Sequence, residues 1–372
     1  MIKNWSYSEE YSSLKKKILK KIDNVFKSNE LLFGKELKNF EKSFSKKYKY
    51  NYCIGVANGT DALKLSLRAL NLEKNSEVIL PANTAIPTIS AIIDSGLKPK
   101  FADVGDDFLL DCNKLENYIN KKTKVIIPVH LYGQACDMNK ILKISKKYNI
   151  YIIEDCAQAQ GAKYQGQYVG SFGISGCFSF YPTKILGAYG DGGLISTNNF
   201  RFYTKILRLR YYGMEKKNSQ NKWFGKYYAI ENGTNSRLSE VQAGILNIKL
   251  PYVDKWIRQR RSIAKYYDEN IKNKIIVKPI SDEKNYHAYH LYVISLPNRD
   301  KILRIMNKQK IQINIQYPYP LHKMQAYKKY VCNNCDCLSN SEKKSDEIMS
   351  LPMYPNLKIK DIKKIVKILN SI

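Results

Sequence analysis

Short apolar runs alternate with helical patterns between residues 52 and 155, and this alternation constrains the fold more than any other feature. The runs that predict strands are 52–57, 77–80, 100–103, 124–129 and 150–155. Patterns typical of helices lie between them, at 84–94, 113–119 and 138–147 among others, and two amphipathic helices, 8–28 and 36–47, precede them. Strands joined by helices need crossover connections, which give a mainly parallel sheet. The sequence therefore predicts an α/β fold.

Polar residues follow directly after several of these strands. Gly59 and Thr60 come after the first strand, His130 comes after the fourth, and Asp155 closes the fifth. Ligands of parallel sheets bind at the carboxyl ends of the strands. We therefore expect one cleft to gather these residues together with the loop that carries Lys184.

Lys184 stands between two short apolar strands, 177–180 and 194–196, in a turn that follows Pro182 and is rich in glycine. Burial of an ammonium group costs free energy and lowers its pKa towards nucleophilic values. A lysine that forms a Schiff base needs such an environment. The alternative is a loop lysine that keeps its amine in solvent.

Asp155 ends an apolar strand, where a carboxylate is poorly placed to be a solvated surface charge. A buried carboxylate needs a partner, and the protonated nitrogen of a pyridine ring provides one. An ion pair with an arginine is the structural alternative.

Residues 58–62, Asn-Gly-Thr-Asp-Ala, connect a strand to a helix. Backbone amides and the Thr60 hydroxyl would meet there at a helix N-terminus, which favours phosphate. Thr60 also suits a purely structural role as the helix N-cap, and the two roles are compatible.

The charge balance is strongly basic, with 62 Lys and Arg against 33 Asp and Glu, a formal net charge of +29. The lysines are scattered along the chain, which favours a solvated lysine surface, although the excess also attracts phosphorylated substrates. No apolar run approaches the roughly 20 residues of a membrane span, and the first residues lack a signal-peptide pattern. These patterns predict a cytoplasmic protein.

The eight cysteines predict neither a disulfide framework nor a metal site. Five of them occur singly in or beside strand-like segments, as small buried residues do. Cys332, Cys335 and Cys337 cluster, but three sulfurs without a further ligand at zinc spacing make an incomplete site.

The chain divides into two predicted domains, a large one of residues 1–250 and a small α+β domain of residues 251–372. A helix after residue 235, capped by Asn235 or Ser236, and Pro251 precede the boundary. The small domain begins with a basic helix at 253–270 and contains predicted strands at 290–295 and 311–315 and a helix at 300–308.

With these motifs in this order, the chain resembles the DegT/DnrJ/EryC1/StrS family of sugar aminotransferases over nearly its whole length. The motifs are 58–63 (Asn-Gly-Thr-Asp-Ala-Leu), 130–134 (His-Leu-Tyr-Gly-Gln), 154–161 (Glu-Asp-Cys-Ala-Gln-Ala-Gln-Gly), 178–184 (Phe-Ser-Phe-Tyr-Pro-Thr-Lys), 190–193 (Gly-Asp-Gly-Gly), 235–238 (Asn-Ser-Arg-Leu) and 351–355 (Leu-Pro-Met-Tyr-Pro). The resemblance implies the fold of the fold-type-I pyridoxal-phosphate enzymes, related to aspartate aminotransferase, with a mainly parallel mixed sheet.

The resemblance also implies roles for individual residues. Lys184 would bind pyridoxal 5'-phosphate as an internal aldimine and shuttle the substrate proton, and Asp155 would keep the pyridine nitrogen protonated. Gln158 would contact the 3-oxygen of the ring. The phosphate would be held by Gly59, Thr60 and Ser179, and by Asn235 of the partner subunit, which implies a homodimer with active sites at its interface.

The segment 316–327 resembles that of family members that aminate C3 of nucleotide-linked keto sugars, although Gln316 replaces the usual first histidine. The resemblance makes Tyr317 and His322 candidates for the nucleotide-sugar pocket. The alternative is that this proline-rich segment only shapes a loop. Tyr181 and Arg237 are further candidates for contacting substrates. Another departure is Ala85, which stands where an aromatic residue often lies beside the cofactor ring.

The resulting hypothesis is an aminotransferase that passes the amino group of L-glutamate, through the pyridoxamine form of the cofactor, to a dTDP-3-keto-6-deoxyhexose. The product would be a dTDP-3-amino-3,6-dideoxyhexose for surface-glycan (lipooligosaccharide or O-antigen) biosynthesis. A 4-keto or UDP-linked keto sugar is the alternative substrate. The alternative of another class is a non-catalytic basic protein on this fold that binds nucleic acid, which intact Lys184 and Asp155 disfavour.

Overall fold

A seven-stranded sheet lies at the centre of the computed structural model, which describes residues 1–214, 227–280, 284–331 and 338–372. Its strands are β1 (Tyr52–Val56), β2 (Glu77–Pro81), β3 (Lys98–Ala102), β4 (Thr123–Ile126), β5 (Tyr151–Asp155), β8 (Ser175–Ser179) and β9 (Gly193–Thr197), with β6 (Lys163–Tyr164) and β7 (Gln167–Tyr168) forming a hairpin between β5 and β8. The order across the sheet is β1-β9-β8-β5-β4-β2-β3. Strand β9 is antiparallel to both neighbours and the other pairs are parallel. The predicted α/β fold with a mainly parallel mixed sheet is confirmed.

Helices cover the sheet and build most of the remaining chain. They are α1 (Ser8–Ser28), α2 (Lys35–Tyr48), α3 (Gly59–Ala69), α4 (Ile86–Asp94), α5 (Met138–Tyr148), α6 (Phe200–Leu209), α7 (Glu240–Lys249), α8 (Val253–Asn270), α9 (Arg299–Lys308), α10 (Ser339–Glu347) and α11 (Ile359–Asn370). A second, two-stranded antiparallel sheet pairs β10 (Tyr292–Ser295) with β11 (Ile348–Leu351). Among the described helices, none combines the length and apolar character that crossing a bilayer requires.

Two helix caps differ from those predicted. The N-cap of α3 is Asn58, whose side chain accepts the Asp61 amide at 2.8 Å, so the alternative role of Thr60 as N-cap is wrong. The N-cap of α7 is Ser239 and neither Asn235 nor Ser236. Residues 235–238 therefore precede the helix, and the Ser236 hydroxyl accepts the Ala57 amide just after β1 at 3.0 Å.

Three predicted elements are shorter or absent. Helix α4 begins at Ile86, two residues after the predicted start, because Ala85 is extended and Pro87 occupies the first turn. Residues 113–119 form only a 3-10 turn, Leu115–Tyr118. Residues 311–315 do not form a regular strand and make single bridges, Ile311 to Ile2 and Asn314 to Ser350.

The buried apolar residues form two clusters that meet along α8. The larger cluster surrounds the seven-stranded sheet and includes Trp256 and Ile257 from the first half of α8. The smaller cluster packs the second half of α8 against β10, β11, α9 and α11, and it also includes Ile2. Helix α8 thus joins both clusters, and the division at residue 250 stays a prediction.

Candidate active site

A cavity of about 330 Å³ opens beside Lys184. It is lined by residues from three parts of the chain: Asn4, Trp5, Gln158, Tyr181, Thr183, Lys184, His290, Leu291, Asn314, Gln316, Tyr317 and Met353. Four of the sequence-predicted site residues are among them, namely Gln158, Tyr181, Lys184 and Tyr317. The cavity therefore lies where the large sheet, the first residues and the last third of the chain meet.

Lys184 occupies the loop between β8 and β9, and this loop folds tightly back on itself. A Cβ atom at Gly187 would lie 2.4 Å from the Pro182 carbonyl oxygen, so the turn requires glycine there. Surrounding protein lowers the pKa of the Lys184 amine to about 8, and the negative charge of Asp155 opposes this shift. Within the described residues, the amine has no hydrogen bond or ion pair. It is therefore a partly neutral amine at the cavity wall.

Asp155 lies at the end of β5, with 4% of its surface exposed. Its carboxylate accepts hydrogen bonds from the Thr88 hydroxyl at 2.8 Å and from the Ala157 amide at 3.1 Å. Burial raises the pKa of Asp155, although these hydrogen bonds and the charge of Lys184 lower it. No described arginine pairs with it, so the arginine alternative finds no support in the described part of the chain. The carboxylate lacks the strong cationic partner that its burial requires.

Gln158 is fixed at the cavity wall through both ends of its amide. Its oxygen accepts the Tyr132 backbone amide at 2.8 Å, and its nitrogen donates to the Tyr317 hydroxyl at 2.9 Å. The Tyr132 hydroxyl donates to the Gln316 carbonyl oxygen, and burial raises the pKa of Tyr317. Sequence reasoning assigned no role to Tyr132, although it lies inside the quoted motif at 130–134.

The residues predicted to hold a phosphate lie together at the start of α3. A Cβ atom at Gly59 would come within 2.8 Å of the Ser179 Cβ, so the helix N-terminus and the end of β8 are in close contact. The Ser179 carbonyl accepts the Gln160 side-chain amide at 2.6 Å, which fixes this end of the strand. Thr60 is the second residue of α3. Free amides at a helix N-terminus, beside two hydroxyl side chains, suit an anion.

A buried histidine–glutamate pair supports the strand ends behind the cavity. The Cys136 amide donates to His130 Nδ1 at 3.1 Å, so Nε2 carries a proton and donates to Glu154 at 3.0 Å. Glu154 also accepts the amides of residues 170, 172 and 173. Cys156 lies close enough to complete a group of potential metal ligands. The His130 and Glu154 atoms are already hydrogen-bonded, so the group holds the turn at 170–173.

Seven predicted site residues are absent from the cavity lining. Four of them, Gly59, Thr60, Asp155 and Ser179, lie at the strand ends and helix start described above. The other three lie elsewhere. His322 is buried elsewhere, with its Nε2 atom 2.9 Å from Glu342 and its ring near Phe101. Asn235 is exposed and bridges to Tyr211, and Arg237 is half-buried in the same segment. The cavity residues that sequence reasoning missed include Asn4, Trp5, His290 and Asn314, which come from distant segments without a recognisable motif. Met353 was also missed, although it lies inside the motif at 351–355.

The cysteines were predicted to be small buried residues without disulfides. The structure describes five as free thiols, Cys53, Cys112, Cys136, Cys156 and Cys177, of which all but Cys112 are fully buried. The predicted incomplete cluster of Cys332, Cys335 and Cys337 lies outside the described residues.

Comparison with known proteins finds relatives over nearly the whole length of the chain. One relative is the dTDP-3-amino-3,4,6-trideoxy-alpha-D-glucose transaminase of Micromonospora megalomicea, 39% identical over 95% of this chain and 94% of that protein. Another is the dTDP-3-amino-3,6-dideoxy-alpha-D-galactopyranose transaminase of Aneurinibacillus thermoaerophilus, 41% identical over 95% of each chain. The solved structure of NtdA from Bacillus subtilis, with bound cofactor PMP, superposes with a TM-score of 0.88 at 29% identity, covering 96% of this chain and 82% of that one.

The model of one protein family matches residues 12–370, almost the whole chain. This match confirms the resemblance that the ordered motifs indicated. The chain belongs to the DegT/DnrJ/EryC1/StrS aminotransferase family.

Proposed function

We propose that this protein is a pyridoxal-phosphate-dependent aminotransferase that transfers the amino group of L-glutamate to a nucleotide-linked keto sugar. The observation that carries this proposal is the Lys184 amine, which has a pKa of about 8 and no hydrogen bond or ion pair among the described residues, and which lies in the field of the buried Asp155 carboxylate. Bound pyridoxal 5'-phosphate supplies an electron sink that makes the substrate C–H bond acidic.

The residues present fit this cofactor in three respects. The Asp155 carboxylate is buried with only neutral donors bonded to it, and a pyridinium nitrogen would provide the missing cation. The Lys184 amine is free to react. The start of α3, with Thr60 and Ser179 beside it, offers donors for a phosphate group.

Each residue would then contribute a distinct step. Lys184 would bind the cofactor and, once released, move a proton to and from the reacting carbon. Asp155, oriented by Thr88 and the Ala157 amide, would keep the ring nitrogen protonated. Gln158, held by the Tyr132 amide, would contact the ring, while Tyr181 and Tyr317 would contact the sugar.

The proposed substrate is a dTDP-3-keto-6-deoxyhexose and the product a dTDP-3-amino-3,6-dideoxyhexose, made for a surface glycan. Two relatives named for 3-amino sugar nucleotides, at 39% and 41% identity, support this choice. The cavity also supports it, because Tyr317 comes from the segment that resembles the C3-aminating members. His322 and Arg237 do not line the cavity in this protomer, and their roles stay predictions.

We also propose that the enzyme is a homodimer in which Asn235 completes the partner's phosphate site. Asn235 is exposed and does not line the cavity of its own protomer. Large apolar side chains are exposed around it, among them Leu32, Tyr211 and Tyr212, and Leu32 bridges to Ser239. A partner subunit that covers this surface would bury it.

Mixing two inactive variants tests whether Asn235 acts in the active site of the partner subunit. Lys184→Ala subunits supply an intact Asn235, and Asn235→Ala subunits supply an intact Lys184. If Asn235 acts across the interface, random dimers would recover about a quarter of the wild-type sites, because half are mixed dimers with one complete site each. No recovery in dimers shown to have exchanged subunits would contradict the proposal.

The reaction is tested by the visible absorbance of the purified holoenzyme. We expect the cofactor band to bleach with L-glutamate and to return on adding a dTDP-3-keto-6-deoxyhexose. If the band returns only with a 4-keto or a UDP-linked keto sugar, the proposed aminotransferase reaction stands and the proposed dTDP-3-keto substrate is wrong. If a Lys184→Ala variant shows the same absorbance changes as the wild type, the proposal that the protein is an aminotransferase is wrong.

A further inference from the structure

The first residues of the chain are attached to its last third. The Ile2 amide donates to the Lys310 carbonyl at 2.8 Å, and the Ile2 carbonyl accepts the Gln312 amide at 2.9 Å. The Ile2 side chain is buried in the smaller apolar cluster. These contacts hold residues 2–5 in a defined position before α1 begins at Ser8.

Asn4 fixes this segment with contacts from both its side chain and its backbone. The side chain donates to the Ser350 carbonyl at 3.0 Å and accepts from the Asn314 amide at 3.1 Å. The Asn4 carbonyl accepts the Met353 amide at 3.2 Å. Asn4 is 5% exposed, so these hydrogen bonds are shielded from water.

The next residue, Trp5, is placed by this anchor at the wall of the cavity that contains Lys184. Its indole contacts the Tyr7 ring, with centroids 5.2 Å apart, and Tyr7 in turn contacts Tyr189 of the Lys184 loop at 5.5 Å. Trp5 is half-buried, which leaves part of the indole open. Trp5 is thus an aromatic side chain of the cavity lining that packs against Tyr7 and keeps part of its indole exposed.

The chemistry of the cavity indicates what this face contacts. Among the described residues that line it, Lys184 alone carries a charged group, since burial lowers the pKa of His290 well below its usual value and keeps that ring neutral. The remaining polar groups are carboxamides and hydroxyls, from Asn4, Gln158, Tyr181, Thr183, Asn314, Gln316 and Tyr317. Neutral donors and acceptors beside aromatic faces suit an uncharged hydroxylated ring better than a carboxylated one.

We propose that Trp5 is a specificity-determining residue that packs against the uncharged hexose ring of the sugar nucleotide, with Asn4 as its positioning residue. This inference rests on the proposed function, because it assumes a sugar-nucleotide substrate. It predicts that Trp5 contributes to binding of the sugar and contributes little to binding of the nucleotide.

The test is calorimetric titration of the holoenzyme with two probes, dTDP-3-amino-3,6-dideoxy-D-galactose and dTDP alone. In Trp5→Ala we expect the Kd of the sugar nucleotide to rise about tenfold, as loss of an aromatic contact does, with the Kd of dTDP within twofold. Trp5→Phe keeps an aromatic face and should recover most of the affinity. An unchanged sugar-nucleotide Kd in Trp5→Ala would overturn the proposal.

Two further measurements separate the possible failures. Bleaching of the wild-type cofactor band by glutamate tests the proposed function separately, since a wild type that does not bleach would reject the function and not the role of Trp5. Tyr7→Ala removes the neighbour of Trp5 without altering a cavity residue. If it weakened sugar-nucleotide binding as much as Trp5→Ala, the effect would belong to the packing of the segment and the inference would fail.

Discussion

Lys184 and Lys249 are both surrounded by protein, and burial lowers the pKa of both, yet their surroundings differ. The Lys249 amine pairs with Glu10 at 2.6 Å, donates to the Gly187 carbonyl and lies 4.6 Å from the centre of the Tyr189 ring. The Lys184 amine has no such partner in the described structure and feels Asp155 only through its charge. Burial alone therefore does not mark a reactive lysine. The distinguishing feature is an amine whose hydrogen-bonding capacity is unused.

Lys249 also contacts the loop that carries Lys184. Gly187 belongs to the tight loop that carries Lys184, and Tyr189 follows it, so Lys249 holds that loop from behind. One lysine is thus proposed to do the chemistry while the other fixes its position. Substitutions at each should affect different measurements.

The largest effect is expected from Lys184→Ala. Loss of the amine removes both the cofactor attachment and the proton carrier, so turnover should fall at least about 10³-fold. Steady-state rates with glutamate and the keto-sugar nucleotide measure this loss. The folded structure, followed by circular dichroism, should persist. A loss below tenfold would mean that another group performs these roles.

Asp155→Asn should have the next largest effect. The neutral amide cannot hold a proton on the ring nitrogen, and loss of such electrostatic stabilisation costs about 10²–10³-fold in turnover. Removing this negative charge should also lower the pKa of the Lys184 amine below about 8, because Asp155 now raises it. The pH dependence of pyridoxal-phosphate uptake reports that pKa, and a shift to higher pH would contradict the assignment.

Lys249→Met should change stability more than chemistry. Glu10 and the Gly187 carbonyl would remain without their cationic partner, and breaking a buried ion pair costs about 3 kcal/mol. Urea unfolding measures this loss, while turnover should fall about tenfold or less through loosening of the loop. If folded Lys249→Met loses as much turnover as Lys184→Ala, the proposal that Lys249 only positions the loop is wrong.

The smallest expected effect is the contribution of Lys184 to the pH dependence of the free energy of unfolding. Because the folded-state pKa of Lys184 is lowered to about 8, the unfolded chain binds more protons between pH 8 and 10.5, and stability rises with pH across that window. In cofactor-free protein, Lys184→Met should be more stable than the wild type at pH 7.5. We expect this advantage to shrink by about 1 kcal/mol towards pH 9.5. Urea unfolding measures both proteins at both pH values. An equal difference in the free energy of unfolding between Lys184→Met and the wild type at pH 7.5 and pH 9.5 would contradict the lowered pKa.

The sequence predicted those parts of the molecule that depend on local patterns. The alternation of apolar strands and helices predicted the sheet. Lys184 and Asp155 were proposed as site residues because each lies in a short motif near a strand end, and Gln158 was proposed through the family resemblance. The cap of α7 was also within reach, since Ser239 stands three residues before Gln242, a capping pattern that is stronger than either predicted choice.

The rest depends on contacts between segments that are far apart in the chain. Trp5 reaches the cavity only because Asn4 is anchored to residues 314–353. Lys249 is buried only because α1 brings Glu10 to it. His322 was assigned to the pocket because segment 316–327 resembles that of C3-aminating family members, but the turn that follows Pro320 directs it towards Glu342. Neither periodicity nor motif spacing records such pairings.

The attachment of Ile2 and Asn4 to residues 310–353 has a consequence for biosynthesis. The hydrogen bond from Asn4 to Ser350 joins residues 346 positions apart, so a growing chain cannot form it until nearly all of the protein has left the ribosome. The sheet and the Lys184 loop can assemble earlier. The cavity described here therefore acquires its Asn4 and Trp5 wall only after Ser350 and Met353 have been synthesised, and chains that end earlier carry Lys184 without that wall.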